Sequence, residues 1–296
     1  MQLIEGFIDR PLRTSDLTAV FEVTAAQELA DIGMVEIEEA DIVADWQRPS
    51  FDLAASSVGV FDGDRLAGYA EVAGDRGEAP VHPDYRGRGI GTALAGWMQE
   101  VARRNGATEV GMPVPEGSPG DRLLESLGYR IRWTSWVLKL PEGRTIPERP
   151  VPAGYEIREA NEAEYRDVWT VVEDAFLEWS VRERESFDDF AASVMERPGF
   201  EPWNLRVVVD PSGSVVGVSY VVLGGQDAFV SRLAVRKDQR RRGLAQALLV
   251  DSFAEARRHG ATTSGLSTDS RTGALGLYEN VGMETTSVWV NRAIAL

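Results

Sequence analysis

The sequence predicts an α/β protein built twice, each copy a mixed central sheet flanked by helices. Three observations carry that prediction. At 296 residues the chain exceeds an ordinary single domain and suits two of about 150 residues. The second observation is an internal repeat. Arg86-Gly87-Arg88-Gly89-Ile90-Gly91 is answered by Arg240-Arg241-Arg242-Gly243-Leu244-Ala245, and the same offset of 154 (240 − 86) links Val81 to Val235, Gly106 to Gly260 and Gly128 to Gly282. Chance placement of glycine would not hold one register over roughly fifty residues. The third is that strand and helix patterns follow one another in the same order in both halves.

In the second half, 155–158 reads as a short strand. Apolar residues at Tyr165, Val168, Trp169, Val172, Ala175 and Phe176 mark an amphipathic helix over 162–179. A further helix over 187–195 precedes Pro198-Gly199. Strands are expected over 205–209 and 215–223, around the turn Asp210-Pro211-Ser212-Gly213, and over 228–235. A helix over 244–258 stops before Gly260, a plausible C-terminal cap. Strand 262–268, helix 272–280 and strand 285–294 complete the copy. The first half repeats the scheme with strands 57–61 and 65–72, helix 92–104, strand 109–114, helix 121–126 and strand 132–140. Between the copies, 141–154 contains Pro141, Pro147, Pro150 and Pro152, which remove backbone donors and favour stiff extended chain. The expected division is therefore residues 1–140, a linker at 141–154, and residues 155–296.

Composition narrows the function. Hydrophobic residues make up 43% and charged residues 26%, an ordinary globular balance. No apolar run approaches the roughly 20 residues of a membrane span. Met1-Gln2-Leu3-Ile4-Glu5 lacks the basic start of a secretory leader. With no cysteine, disulfides, thiolate metal sites and a cysteine nucleophile are excluded, and His82 and His259 alone make a metal centre unexpected. A cytoplasmic, metal-free monomer or homodimer is the expectation. The net charge of −16 argues against nucleic acid. It sits in two stretches. Residues 22–45 hold eight carboxylates and no Lys or Arg, and residues 156–189 hold twelve against four arginines. Such surfaces confer solubility, and they also attract cationic substrates.

A strand running into Arg-x-x-Gly-x-Gly/Ala and then a helix is suited to anions. The first helical turn leaves N–H groups unpartnered, the helix dipole adds positive charge, and glycine lets a phosphate approach the backbone. Two other glycine loops do not match: there is no Gly-Lys-Ser/Thr, and Thr92 stands where a dinucleotide fingerprint needs glycine. Arg232, Arg236, Lys237, Arg240, Arg241 and Arg242 form a basic island suited to a pyrophosphate and a ribose phosphate.

These loops, repeated in register, resemble those of tandem GNAT acyltransferases, an arrangement similar to that of mycothiol synthases and related actinobacterial two-domain acetyltransferases. The resemblance implies two acyl-CoA N-acyltransferase domains with acetyl-CoA as cofactor and a small-molecule amine as substrate. It places pantetheine along Leu233, Ala234 and Val235, where the fourth strand splays from the fifth. It places the pyrophosphate on Arg240, Arg241, Arg242, Gly243, Leu244 and Ala245. In the first copy the corresponding residues are Val81, Arg86, Gly87, Arg88, Gly89, Ile90 and Gly91. In Ala274-Leu275-Gly276-Leu277-Tyr278-Glu279-Asn280-Val281-Gly282 a tyrosine stands four residues before a glycine, which makes Tyr278 the implied general acid for the CoA thiolate. Ala274, Leu277, Tyr278 and Val281 also form an apolar stripe that would serve as core.

The first copy departs from this pattern. Leu124 occupies the tyrosine position, and Pro80 replaces Ala234, which is expected to remove an N–H available to pantetheine. The C-terminal copy is therefore expected to be catalytic and the N-terminal one degenerate, either holding CoA idly or serving structure alone. The base stays open among Asp227, Glu173, Glu178 and Asp269. Arg271 stands where the family often has asparagine. The acidic helices, which frame the acceptor in such proteins, imply a cationic amine. A non-catalytic acyl-CoA sensor, or transfer of a longer acyl group, is the alternative.

Overall fold

The computed structural model describes residues 6–296. The segment Met1–Glu5, on which the expectation about a leader rests, lies outside them. In chain order the elements are β1 (Ile8–Arg10), α1 (Leu17–Ile32), α2 (Glu39–Trp46), α3 (Leu53–Ser56), β2 (Ser57–Asp62), β3 (Arg65–Ala73), β4 (Arg76–Glu78), α4 (Ile90–Arg104), β5 (Glu109–Pro115), α5 (Pro119–Ser126) and β6 (Arg130–Lys139). There follow β7 (Glu156–Glu159), α6 (Tyr165–Phe176), α7 (Phe187–Ser193), β8 (Leu205–Val209), β9 (Val215–Gly224), β10 (Asp227–Val235), α8 (Leu244–Arg258), β11 (Thr263–Asp269), α9 (Leu275–Asn280) and β12 (Glu284–Ala295). Among the described residues no helix is long and apolar enough to cross a membrane.

Two compact units divide the chain. One runs to Ser135 and adds Ser287–Leu296; the other is Trp136–Thr286. In the first, the strand order is β1-β2-β3-β4-β5-β12, with β12 antiparallel to β5 from Trp289↔Pro115 to Ala295↔Glu109. The last strand in sequence thus completes the sheet of the first unit, where the repeat alone would assign it to the second. A buried ion pair anchors it: Arg292 on β12 meets Asp121 on α5 and donates to the Tyr129 carbonyl. Val58, Val60, Ala67, Ala70 and Val72 pack from the sheet against Ile90, Leu94, Met98 and Val101 of α4. The amphipathic face of α4 is what the spacing of its apolar residues requires.

In the second unit the order is β11-β10-β9-β8-β7, with the end of β6 beyond β11, where the Leu140 N–H donates to the Ser264 carbonyl over 2.8 Å. Both β8 and most of β9 are buried, as runs of Val predict for strands covered on two faces. One face carries α8, through Leu248, Leu249, Phe253 and Ala256; the other carries α6 and α7, through Val168, Val172 and Phe190. The proline-bearing stretch is no free tether. Ile146 is buried in the core beside Trp203, and Val151 packs with Tyr155 and Leu244.

Candidate active site

In the second unit β10 and β11 run parallel only over Asp227–Val230, paired with Thr263–Leu266. The antiparallel register of β10 with β9 shifts between Val230 and Arg232, so Ser231 forms a bulge. A bulge bends and twists its strand, and here it coincides with the point where β10 leaves β11. Beyond it the Arg236 N–H donates to the Val216 carbonyl. Antiparallel alternation then turns the backbone of Ala234 toward β9 and that of Leu233 and Val235 away from it, into the splay. There the Val235 carbonyl accepts from Arg240 Nε at 3.0 Å. The splay therefore offers backbone donors and an acceptor to an extended, amide-bearing chain.

At the end of β10 the chain turns into α8. Gly243 caps the helix at φ 83°, and Arg241 takes φ 63°, alone among the described non-glycine residues in having positive φ. A left-handed arginine is strained by about 1–3 kcal/mol. Arg240 forms a two-pronged pair with Glu178, at 2.9 and 2.6 Å, and Arg242 donates to the Tyr155 hydroxyl at 3.1 Å. Leu244 is buried and Ala245 partly buried in the first turn of α8, leaving its open N–H groups to the loop.

Tyr278 lies on α9 and is 7% exposed, in the apolar cluster that also holds Val230, Leu266 and, partly buried, Leu233. Its hydroxyl bonds to no described residue, and burial pushes the phenol up to about 12. The structure thus brings Tyr278 to the residues where the two strands part.

The carboxylates are placed differently. Glu173 on α6 is wholly buried, gripped by Arg182 at 2.8 and 2.6 Å, and accepts the Glu185 N–H at 2.8 Å. Burial alone would raise its pKa; the arginine and the N–H hold it below the usual value. Arg240 and Lys237 likewise hold Glu178 low. Asp269, at the end of β11, is held by Arg271 through Nε at 3.1 Å and Nη2 at 2.6 Å. Asp227 is exposed at the start of β10, with Lys139 Nζ at 3.6 Å. Arg232 stands on β10 over the Phe190 ring and donates to Ser193 Oγ at 3.1 Å.

The first unit reproduces the loop. Gly87 and Gly89 take φ 76° and 77°, Ile90 opens α4, and Arg86 pairs with Asp31 at 2.8 Å through both nitrogens. Arg88 reaches back to the Asp84 carbonyl. The splay is also present, since β4 pairs with β5 only at Arg76↔Gly111. Here, however, the Val81 N–H is taken by Gln27 Oε1 of α1 at 3.0 Å. Pro80 acts otherwise than expected. Its carbonyl accepts from Tyr69 of β3, so the missing N–H would have faced β3 and not the splay. Gln27 closes the backbone; no sequence spacing announced it.

Two further differences follow. A Cβ on Gly91 would stand 2.7 Å from Leu123 Cδ2, so α5 crowds the first turn of α4, whereas the matching Ala245 carries its Cβ. Leu124 is buried at the tyrosine position, and Tyr129 is a core residue whose hydroxyl accepts from Gln99 at 3.2 Å.

The comparisons agree with this geometry. The model of the acetyltransferase (GNAT) family matches twice, over residues 24–129 and 156–283. A mycothiol acetyltransferase of Salinispora arenicola is 31% identical over 245 residues, covering 76% of this chain and 77% of that protein. Among solved structures, a GCN5-related N-acetyltransferase from Sphaerobacter thermophilus superposes with a TM-score of 0.76 at 27% identity, over 99% of this chain and 97% of its own. A tandem GNAT protein from the clavulanic acid biosynthesis pathway superposes at 0.72 and 18% identity, over 98% of both chains, and shows the same fold. The chain belongs to the acetyltransferase (GNAT) family and is a two-domain acyltransferase of that kind.

Proposed function

We propose that the chain transfers an acetyl group from acetyl-CoA to the primary amine of a small acceptor, with the chemistry in Trp136–Thr286 and Tyr278 as general acid. The observation that carries this reading is the buried residue Tyr278, whose hydroxyl bonds to no described residue, beside an open splay and an anion-binding loop. The residues present fit the donor: glycine-capped α8, the splay-facing backbone of Leu233 and N–H of Val235, and the guanidinium groups of Arg240, Arg241 and Arg242 suit a pantetheine arm ending in phosphates. Bound acetyl-CoA supplies the thioester whose acyl group is transferred. The mycothiol acetyltransferase relatives support an amine acceptor.

A phenol pushed up to about 12 stays protonated throughout the working range. Tyr278 therefore offers its proton to sulfur as negative charge arrives there, stabilising the leaving group chiefly as a buried donor. Its surroundings exclude competing water.

The amine must also shed a proton. Glu173 and Glu178 are held low by their arginines, which keeps a carboxylate ionised but weakly basic, and Asp269 is engaged in its pair with Arg271. We read Glu173 as a staple that fixes the segment after α6, and Asp227 as too exposed to act in a dry site. The acceptor is then an amine already deprotonated in good part near neutrality, such as an α-amine (about 7.7–8.0), rather than an alkylamine (about 10.4). Arg158, Arg182, Arg184 and Arg240 match Glu164, Glu173, Asp174 and Glu178, so attraction of a cation rests on the net charge more than on an acidic wall.

The test is thiol release from acetyl-CoA with a panel of α-amines and alkylamines. Turnover with α-amines, with a rate that rises through the amine's own pKa, is expected. Tight CoA binding without turnover for any amine would favour the non-catalytic sensor instead.

A further inference from the structure

The stretch between the repeats does more than join them. We infer that Arg149 is a positioning residue for the donor, a cation delivered by this stretch to the pyrophosphate of CoA at the start of α8; the inference rests on the donor reading above.

Four observations lead there. A Cβ on Gly243 would stand 3.1 Å from Arg149 Cζ and closer still to its Nε, so the guanidinium lies directly on the residue that caps α8. Glycine is required at this position twice over, by its φ of 83° and by the arginine above it. The chain is pinned on both sides of Arg149. Before it, Ile146 is buried in the core and the Pro147 carbonyl accepts from Gln246 Nε2 of α8 at 2.7 Å; after it, Val151 packs in the cluster with Val235, Leu244 and Ala245. Pro147, Pro150 and Pro152 stiffen the crossing, so little entropy is lost in holding the side chain there.

The electrostatics give the reason. Arg149 makes no ion pair or hydrogen bond with any described residue, although carboxylates abound in this chain. It rests at the positive end of α8, beside Arg241 and Arg242, where a cation is repelled by the helix dipole and by its neighbours. A guanidinium laid on the cap of α8, next to the open helical N–H groups and with Arg241 and Arg242 in the same loop, is favourable only when these groups share an anion. The diphosphate is the doubly charged part of CoA that the helix start is shaped to hold. Arg149 adds a donor from outside the matched loop and helix.

The experiment is isothermal titration of the full chain with CoA and with CoA lacking the ribose 3′-phosphate. Arg149→Ala is expected to weaken both ligands by about tenfold, the effect of one partly exposed charge-assisted contact. Arg144→Ala, which removes an exposed cation from the same stretch, stays within twofold of the unaltered chain and keeps net charge out of the result. The assignment is overturned if Arg149→Ala binds like the unaltered chain or if Arg144→Ala loses as much. It is also overturned if the loss vanishes with the ligand lacking the 3′-phosphate, for then Arg149 serves that group instead. Failure of the unaltered chain to bind CoA would remove the donor reading itself, a result distinct from these.

Discussion

Gly87 and Arg241 stand at matching positions of the repeat with φ 76° and 63°; Gly89 and Gly243 follow at 77° and 83°, and a helix of fifteen residues grows from each. The two loops therefore share a backbone down to its strained residue. What surrounds them differs. In the first copy Gln27 occupies the splay, Leu123 crowds the helix start and a leucine fills the tyrosine position. In the second no described side chain accepts the Leu233 or Val235 N–H, and the Tyr278 phenol bonds to no described residue. An anion-binding backbone survives changes in the side chains around it, because it depends on glycine dihedrals and helix termini alone. The proposed chemistry, by contrast, depends on the side chains themselves.

Four experiments would break or sharpen that contrast. Tyr278→Phe removes the only proposed acid and is expected to lower turnover about 10²–10³-fold with CoA affinity preserved, read as thiol release under saturating donor. Tyr129→Phe in the first copy should leave turnover intact, and an equal loss there would end the assignment of chemistry to one copy. Next in size, Gln27→Ala frees the Val81 N–H. One tight equivalent of CoA is expected for the unaltered chain, with about a tenfold gain at a second site in the variant. Two equal sites in the unaltered chain would show that Gln27 closes nothing.

Arg241→Gly gives the second loop the residue found in the first. Relief of the left-handed strain, offset by the entropy of glycine, should raise stability by about 0.5–1 kcal/mol, or roughly 2 °C in thermal melting, while CoA binds more weakly. A lower melting temperature would contradict the strain. The smallest effect concerns Glu71 and Glu78, directly opposed on β3 and β4 of the first copy. Burial, then Glu78, pushes Glu71 to about 8, against the Trp46 Nε1–H that it accepts at 2.8 Å. The unfolded carboxyls ionise near pH 4.3, so between roughly pH 4.5 and 8 the folded chain binds more protons. That contribution to stability is full below this window and falls as pH rises through it. Glu71→Gln should flatten the decline of melting temperature from pH 6 to 8, and an unchanged slope would argue against a raised Glu71.

Much of this was legible from residue order. Strands 205–209 and helix 244–258 lie where the patterns put them, because a buried valine run and an apolar helix face each have one solution. The loops announce themselves through glycines that their dihedrals demand. Other features depend on contacts no spacing encodes. Gln27 is one polar residue on an acidic helix, 54 positions from the N–H it caps. Arg149 sits among prolines that read as a spacer. Pro80 was legible as a lost donor, but which neighbour lost it depends on the phase of strand pairing. Likewise β6 and β12 are both long extended segments, and neither pattern states which sheet receives it.

The placement of β12 bears on how the protein is made. The edge of β5 that β12 covers is synthesised roughly 180 residues earlier, a delay on the order of ten to thirty-five seconds at ordinary elongation rates. During that interval the nascent chain displays an unpaired strand edge, the feature that invites wrong partners. The Arg292–Asp121 clasp can close only when β12 has left the ribosome. The first unit thus finishes its sheet only after β12 has been made, and removing β12 would injure elements made long before it.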